Sequence, residues 1–215
     1  MATLAETVTR ICDDLSRPEA DDGMGDVVQR EVLSAIKYYE NRRLGFNERI
    51  LTFTISATNS YAFSALYAND TEVADVLSID QIKVTRDGRE YTLVQKDWPS
   101  LFSLDSLGTT TDIPDFWATF NKSLRLYPTP STSLSAQVTC HVKLLSVDDA
   151  TNTNSPWLND AEDLIRSRAT RNVLMRKLDD FEKAQVYSGL EAEALRSVMH
   201  DSFIRRATGI LAPNF

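Results

Sequence analysis

The run Val76-Leu77-Ser78-Ile79-Asp80-Gln81-Ile82-Lys83-Val84-Thr85-Arg86-Asp87-Gly88-Arg89-Glu90-Tyr91-Thr92-Leu93-Val94-Gln95 decides the architecture. Val76 to Thr85 and Glu90 to Gln95 have strand composition, and Arg86-Asp87-Gly88-Arg89 lies between them. Asp-Gly in that setting signals a hairpin, because both central residues tolerate positive φ. Upstream, Ile50-Leu51-Thr52-Phe53-Thr54-Ile55 is β-branched and aromatic and reads as a strand. Downstream, Phe116 to Phe120 and Ser123 to Tyr127 are predicted strands joined by a tight turn at Asn121-Lys122. Pro128 and Pro130 bracket a stiff turn that should not continue a ladder. A long strand is expected from Ala136 to Leu145. Asp97 to Leu107 reads as a short helix or an irregular loop, and Gly108 to Asp112 as a loop. Ser56 to Val73 carries no pattern that assigns it.

Outside this region the period changes from two to that of a helix. Leu4, Val8, Ile11, Cys12 and Leu15 share one helical face, and Thr3 with Glu6 forms a capping-box pair. Pro18 and Asp21-Asp22-Gly23 end that helix. A second helix is predicted over about 26–41, striped by Val28, Val32, Ala35, Ile36 and Tyr39. After a polar linker, Ser155-Pro156 opens a helix with Ser as cap and Pro in the first turn. Leu158, Ala161, Ile165, Ala169 and Val173 line its apolar face. Asp179-Asp180 starts another helix, striped by Phe181, Ala184, Tyr187, Leu190, Ala194 and Val198, with Gly189 as a weak point. The predicted fold class is α+β. N- and C-terminal helices (1–48 and 148–200) form a helical bundle, an antiparallel β domain (49–147) is inserted between them, and an extended C-terminal arm (201–215) follows.

The chain has 215 residues and a net charge of −8, which argues against a surface built to grip phosphates. Residues 1–41 hold nine acidic and four basic side chains, and the acids read as a solvated face. No apolar run approaches the roughly 20 residues of a membrane helix. The N-terminus lacks a basic region followed by an apolar stretch, so no secretory signal is expected. Cys12 and Cys140 read as small buried thiols. His141 and His200 have no neighbouring ligand at a metal-binding spacing, and no metal or cofactor is expected. No Gly-x-Ser-x-Gly elbow or phosphate loop occurs, so nothing points to catalysis. Trp98, Trp117 and Trp157 read as packing residues, not clustered with cations as a stacking platform would need. The last segment holds Phe203, Ile204, Ile210, Leu211 and Phe215 beside Gly209 and Pro213. Such an apolar tail must pack on its own body or on a partner, where an extended peptide adds a strand or fills a groove.

Ile113-Pro114-Asp115-Phe116-Trp117 is followed by Ser123-Leu124-Arg125-Leu126-Tyr127-Pro128-Thr129-Pro130. A strand ending His141-Val142-Lys143-Leu144-Leu145 comes next, then Asn154-Ser155-Pro156-Trp157-Leu158-Asn159-Asp160 at the head of a long helix. In this order these stretches resemble the head-to-tail adaptor proteins of tailed, especially short-tailed, bacteriophages. The resemblance implies a virion structural protein, not an enzyme, assembled in the host cytoplasm and carried in the neck of the particle. It implies a ring of about twelve copies beneath the portal protein, closed by a repeated heterologous contact. DNA would pass through the lumen without sequence-specific binding, past acidic walls that keep it from sticking. The C-terminal arm (Phe203, Ile204, Arg205, Arg206, Ile210, Leu211 and Phe215) would grip the portal. The β region, with Asp87, Gly88 and Trp117, would offer a platform to a tail tube, nozzle or fibre protein.

Three other readings fit parts of the chain. One is another neck or tail-completion (stopper) protein. A second is a small hydrolase with an active site of scattered carboxylates. A third is an interaction module unrelated to phage.

Overall fold

The computed structural model describes residues 3–106, 111–148 and 155–207. In chain order the elements are α1 (Leu4–Asp14), α2 (Met24–Tyr39), β1 (Glu48–Ile55), β2 (Ser60–Ala62), α3 (Phe63–Leu66) and β3 (Val73–Arg86). Then come β4 (Arg89–Thr92), β5 (Val94–Gln95), α4 (Trp98–Ser106), β6 (Thr111–Asp112), β7 (Phe116–Phe120) and β8 (Ser123–Tyr127). The chain closes with β9 (Thr129–Pro130), β10 (Leu134–Leu144), α5 (Pro156–Asn159), α6 (Glu162–Arg176) and α7 (Phe181–Ala207). The fold is α+β. Contacts divide it into a helical unit, with the chain breaks at Phe46 and Leu145, and a β unit from Asn47 to Leu144.

In the helical unit, α1 starts on the predicted capping box. The Thr3 amide donates to Glu6 Oε2 at 2.9 Å, and the Glu6 amide donates to Thr3 Oγ1 at 3.2 Å. The helix buries Thr7, Val8, Ile11 and Cys12. Positive φ at Asp22 and Gly23 reverses the chain into α2. That helix begins at Met24, ahead of the expected start, and Met24 joins Val28, Val32, Ala35 and Tyr39 in the core.

The helix expected to open at Ser155-Pro156 is two helices. The Asp160 amide donates to the Pro156 carbonyl and closes α5; the Ile165 amide donates to the Ala161 carbonyl and opens α6. Ser155 makes no side-chain cap. The break at Ala161 (φ −130°, ψ 24°) lets Trp157, Leu158 and Ala161 all turn inward. Trp157 meets Phe46 edge-on at 4.9 Å between ring centres. Leu164, Ile165, Ala169 and Val173 continue the buried face. Asp179 takes positive φ, and Asp180 Oδ1 accepts from the Lys183 amide at 3.1 Å to cap α7.

The helix α7 runs 27 residues, to Ala207. Asp201 to Ala207, expected to begin an extended arm, is therefore helical. Ser202 explains the continuation: its hydroxyl donates to the Val198 carbonyl at 2.7 Å and accepts from the Gly45 amide at 2.7 Å. Ile210, Leu211 and Phe215 lie outside the described residues.

In the β unit, one sheet has the order β1-β10-β3-β4, antiparallel throughout. The second has the order β2-β8-β7-β5. Both predicted hairpin turns form. Asp87 and Gly88 carry φ of 50° and 75°, and Asn121 and Lys122 carry 47° and 57°. Two short pairings depart from the antiparallel expectation, since β5 runs parallel to β7 and β6 runs parallel to β9.

The first departure comes from Leu93, which is 4% exposed and splits the run expected as one strand. Its amide donates to Ile82 in the first sheet, and the next amide, of Val94, donates to Asp115 beside the second. The chain thus changes sheets at one buried leucine. The second departure places Thr129-Pro130 in a two-residue ladder instead of a simple turn. Ser56 to Val73, unassigned from sequence, holds β2 and α3, and the Tyr61 hydroxyl ties its loop by accepting from the Ser56 amide at 2.9 Å.

Candidate functional site

The seam that holds α7 is ionic. Glu191 stands inside the apolar period of α7, yet its side chain is 8% exposed. Arg168 Nη1 of α6 lies 2.7 Å from its Oε1, Arg171 Nη1 lies 2.5 Å from its Oε2, and the Tyr39 hydroxyl of α2 donates to Oε1. The Arg168 guanidinium also stacks 3.3 Å from the centre of the Tyr38 ring. Burial, and then the hydrogen bond to Glu191, push the Tyr39 phenol up to about 12. The phenol is therefore a standing donor at neutral pH. A second bridge joins α2 to α6, where Asn172 Nδ2 and Arg176 Nη1 donate to Glu31 at 2.9 and 3.0 Å.

Away from that seam, much of α7 is exposed. Phe181 (63%), Val186 (64%), Met199 (52%) and Phe203 (69%) face outward, with Leu190 and Ile204 close behind. Large apolar side chains left exposed along one helix offer a contact surface. Beside Leu190 runs an open groove of about 520 Å³, lined by Asp14, Asp163, Arg166, Ser167, Tyr187, Leu190, Glu193, Ala194 and Ser197. Arg166 grips Asp14 with both arms of its guanidinium, at 2.7 and 2.6 Å. The phenol of Tyr187, facing the same groove, is raised above its usual range, chiefly by burial and then by Asp14.

The β unit carries a second surface. Trp98 and Phe120 rings lie 5.4 Å apart, and the Arg125 guanidinium sits 5.8 Å from Trp98 and 5.2 Å from Phe102. Lys96 Nζ lies 5.2 Å over Phe116. Phe102 and Phe120 are more than half exposed. This overturns the expectation that no tryptophan clusters with cations: α4 carries Trp98 to β7 and β8, which supply Phe120 and Arg125. Trp117, named for a partner-facing platform, is 1% exposed and packs in the core.

Of the other residues named from sequence, Asp87 and Gly88 occupy the β3–β4 hairpin tip. Phe203 and Ile204 are exposed on α7, and Arg205 and Arg206 lie in its last turn. Cys12 and Cys140 are free and buried, and burial pushes the Cys140 thiol up to about 12. His141 is 4% exposed inside β10, and His200 is exposed. Among the described residues no three His, Cys, Asp or Glu side chains group as a metal site would require. No described helix is long and apolar enough to cross a membrane.

The helical unit leaves large apolar side chains exposed along α7 and the β unit exposes an aromatic and cationic face, both features of surfaces that meet other proteins. No curated protein matches the chain. The model of the SU10 adaptor protein family matches residues 2–213, so the chain belongs to that family of phage adaptors. The family is structural and not enzymatic, and membership implies a place in the virion neck among portal and tail proteins.

Proposed function

We propose that this adaptor assembles as a closed ring of about twelve copies between portal and tail, with helical units packed side by side around the DNA channel. The observation that carries the reading is α7. Its exposed residues Phe181, Val186, Leu190, Met199, Phe203 and Ile204 put apolar contact points on two sides of the helix, as a copy with a neighbour on each side needs. The net charge of −8 suits a lumen through which DNA moves without sticking. The segment from Ala207 to Phe215 supplies the portal-gripping arm. On the β unit, the Trp98, Phe102, Phe120 and Arg125 face and the Asp87-Gly88 tip supply the tail platform. Aromatic and Arg side chains suit that task, being enriched where interfaces hold most of their energy.

Particle mass tests this reading. The purified full chain, alone and with its portal, is expected to give closed rings by electron microscopy and a matching mass by native mass spectrometry. A strict monomer that ignores portal at micromolar concentration overturns it.

A further inference from the structure

The two sides of α7 are chemically unlike. At about 100° per residue, Ala192, Arg196, Met199 and Phe203 share one ridge, whereas Val186, Leu190, Glu193 and Ser197 share another roughly a third of a turn away. The second ridge is one wall of the groove described above; α6 supplies the other wall through Asp163 and Arg166. Arg166 is already committed to Asp14 in a bidentate pair. The groove's remaining charge is thus that of Asp163 and Glu193, both exposed carboxylates with no ion pair among the described residues. The first ridge has a different make-up. Met199 and Phe203 are more than half exposed, and Arg196 stands between Ala192 and Met199 with no ion pair among the described residues.

Resting on the ring reading, we propose that the ridge of one copy docks in the groove of the next. Copies related by a ring rotation of about 30° hold their α7 helices nearly parallel, so Arg196 faces Asp163 and Glu193 while Ala192, one turn before it, meets Leu190. An acidic groove with an apolar floor matches a cationic ridge with apolar neighbours. Opposite charge across a rim sets register and rejects wrong pairings. The volume of about 520 Å³ is large enough to admit the Arg196 side chain. Because ridge and groove are different patches of one chain, the contact is heterologous: every copy gives a ridge to one neighbour and a groove to the other, and the series ends only by closing.

Charge reversal tests the pairing in the full-length protein, with portal present and absent. The groove variant is Glu193→Lys, with Asp163→Lys as an independent second, and the ridge variant is Arg196→Glu. All lie at exposed helix positions, and circular dichroism with the thermal transition confirms folding. Each variant alone sets like charges against each other, and the concentration needed for half-assembly is expected to rise about tenfold or more. A one-to-one mixture of Glu193→Lys with Arg196→Glu is expected to recover rings of wild-type mass, because an alternating ring satisfies every contact. If each folded variant assembles alone as the wild type does, the pairing is wrong and the ring stands. Failure of the folded mixture to recover also overturns the pairing. Variants that keep ring mass but lose portal binding would assign the groove to the portal instead. A wild-type chain that never assembles overturns the ring reading and this contact with it.

Discussion

Glu191 is the residue on which α7 turns. An apolar side chain there would let the helix slide or rotate on α2 and α6 at small cost. A carboxylate held by Arg168, Arg171 and Tyr39 accepts one register. Its removal leaves two guanidiniums partly buried without a counter-charge. Glu191→Ala is expected to cost about 3–5 kcal/mol in chemical denaturation followed by circular dichroism, because breaking one side of a buried pair strands the other. Glu191→Gln keeps the shape and the Tyr39 hydrogen bond and is expected to cost less. None of this is legible along the chain. Glu191 is a lone acid inside the apolar period of α7, and its partners stand at positions 39, 168 and 171, so only folding brings them together. The same holds for Arg125, whose aromatic neighbours Trp98 and Phe102 are more than twenty positions away in sequence.

Elements signalled by chemistry between near neighbours read correctly from the chain. Thr3 with Glu6 starts α1, Asp87-Gly88 turns β3 into β4, and Asn121-Lys122 turns β7 into β8. Elements set by distant burial do not. The strand run from Glu90 changes sheets at Leu93 because that side chain has a core to enter on the far side of the turn. The α5–α6 break at Ala161 serves the burial of Trp157 against Phe46, more than a hundred positions away. The last helix was expected to fade after His200, since Phe203 and Ile204 gave no inward stripe; Ser202, bonded to Gly45, carries it on. Gly189 sits inside α7, and a Cβ placed there meets nothing within 4 Å. Gly189→Ala is accordingly expected to stabilise the helical unit by about 0.5–1 kcal/mol, seen as a raised thermal transition, because alanine loses less backbone freedom on folding.

At the scale of the whole molecule, the helical ordering of Phe203 to Ala207 narrows the proposed portal-gripping arm to the residues beyond it. A chain ending after Ala207 keeps the Ser202 clamp and all of α7. It is expected to show an unchanged thermal transition and unchanged self-assembly, with portal capture lost in a pull-down. Retained capture would place the grip on α7 itself. The β unit enters the chain after Phe46 and leaves it before Leu145, and its first and last strands are ladder partners, with Glu48 facing His141. Directly opposed residues in such a ladder lie about 5 Å apart. The polypeptide therefore departs from the helical unit and returns to it through a single narrow gateway. Whatever sits beyond that gateway can be traded by recombination, as a cassette, without rebuilding the helices that hold the two ends. Under the proposed assembly, a lineage confronted with a new tail could keep its ring and exchange only the β unit.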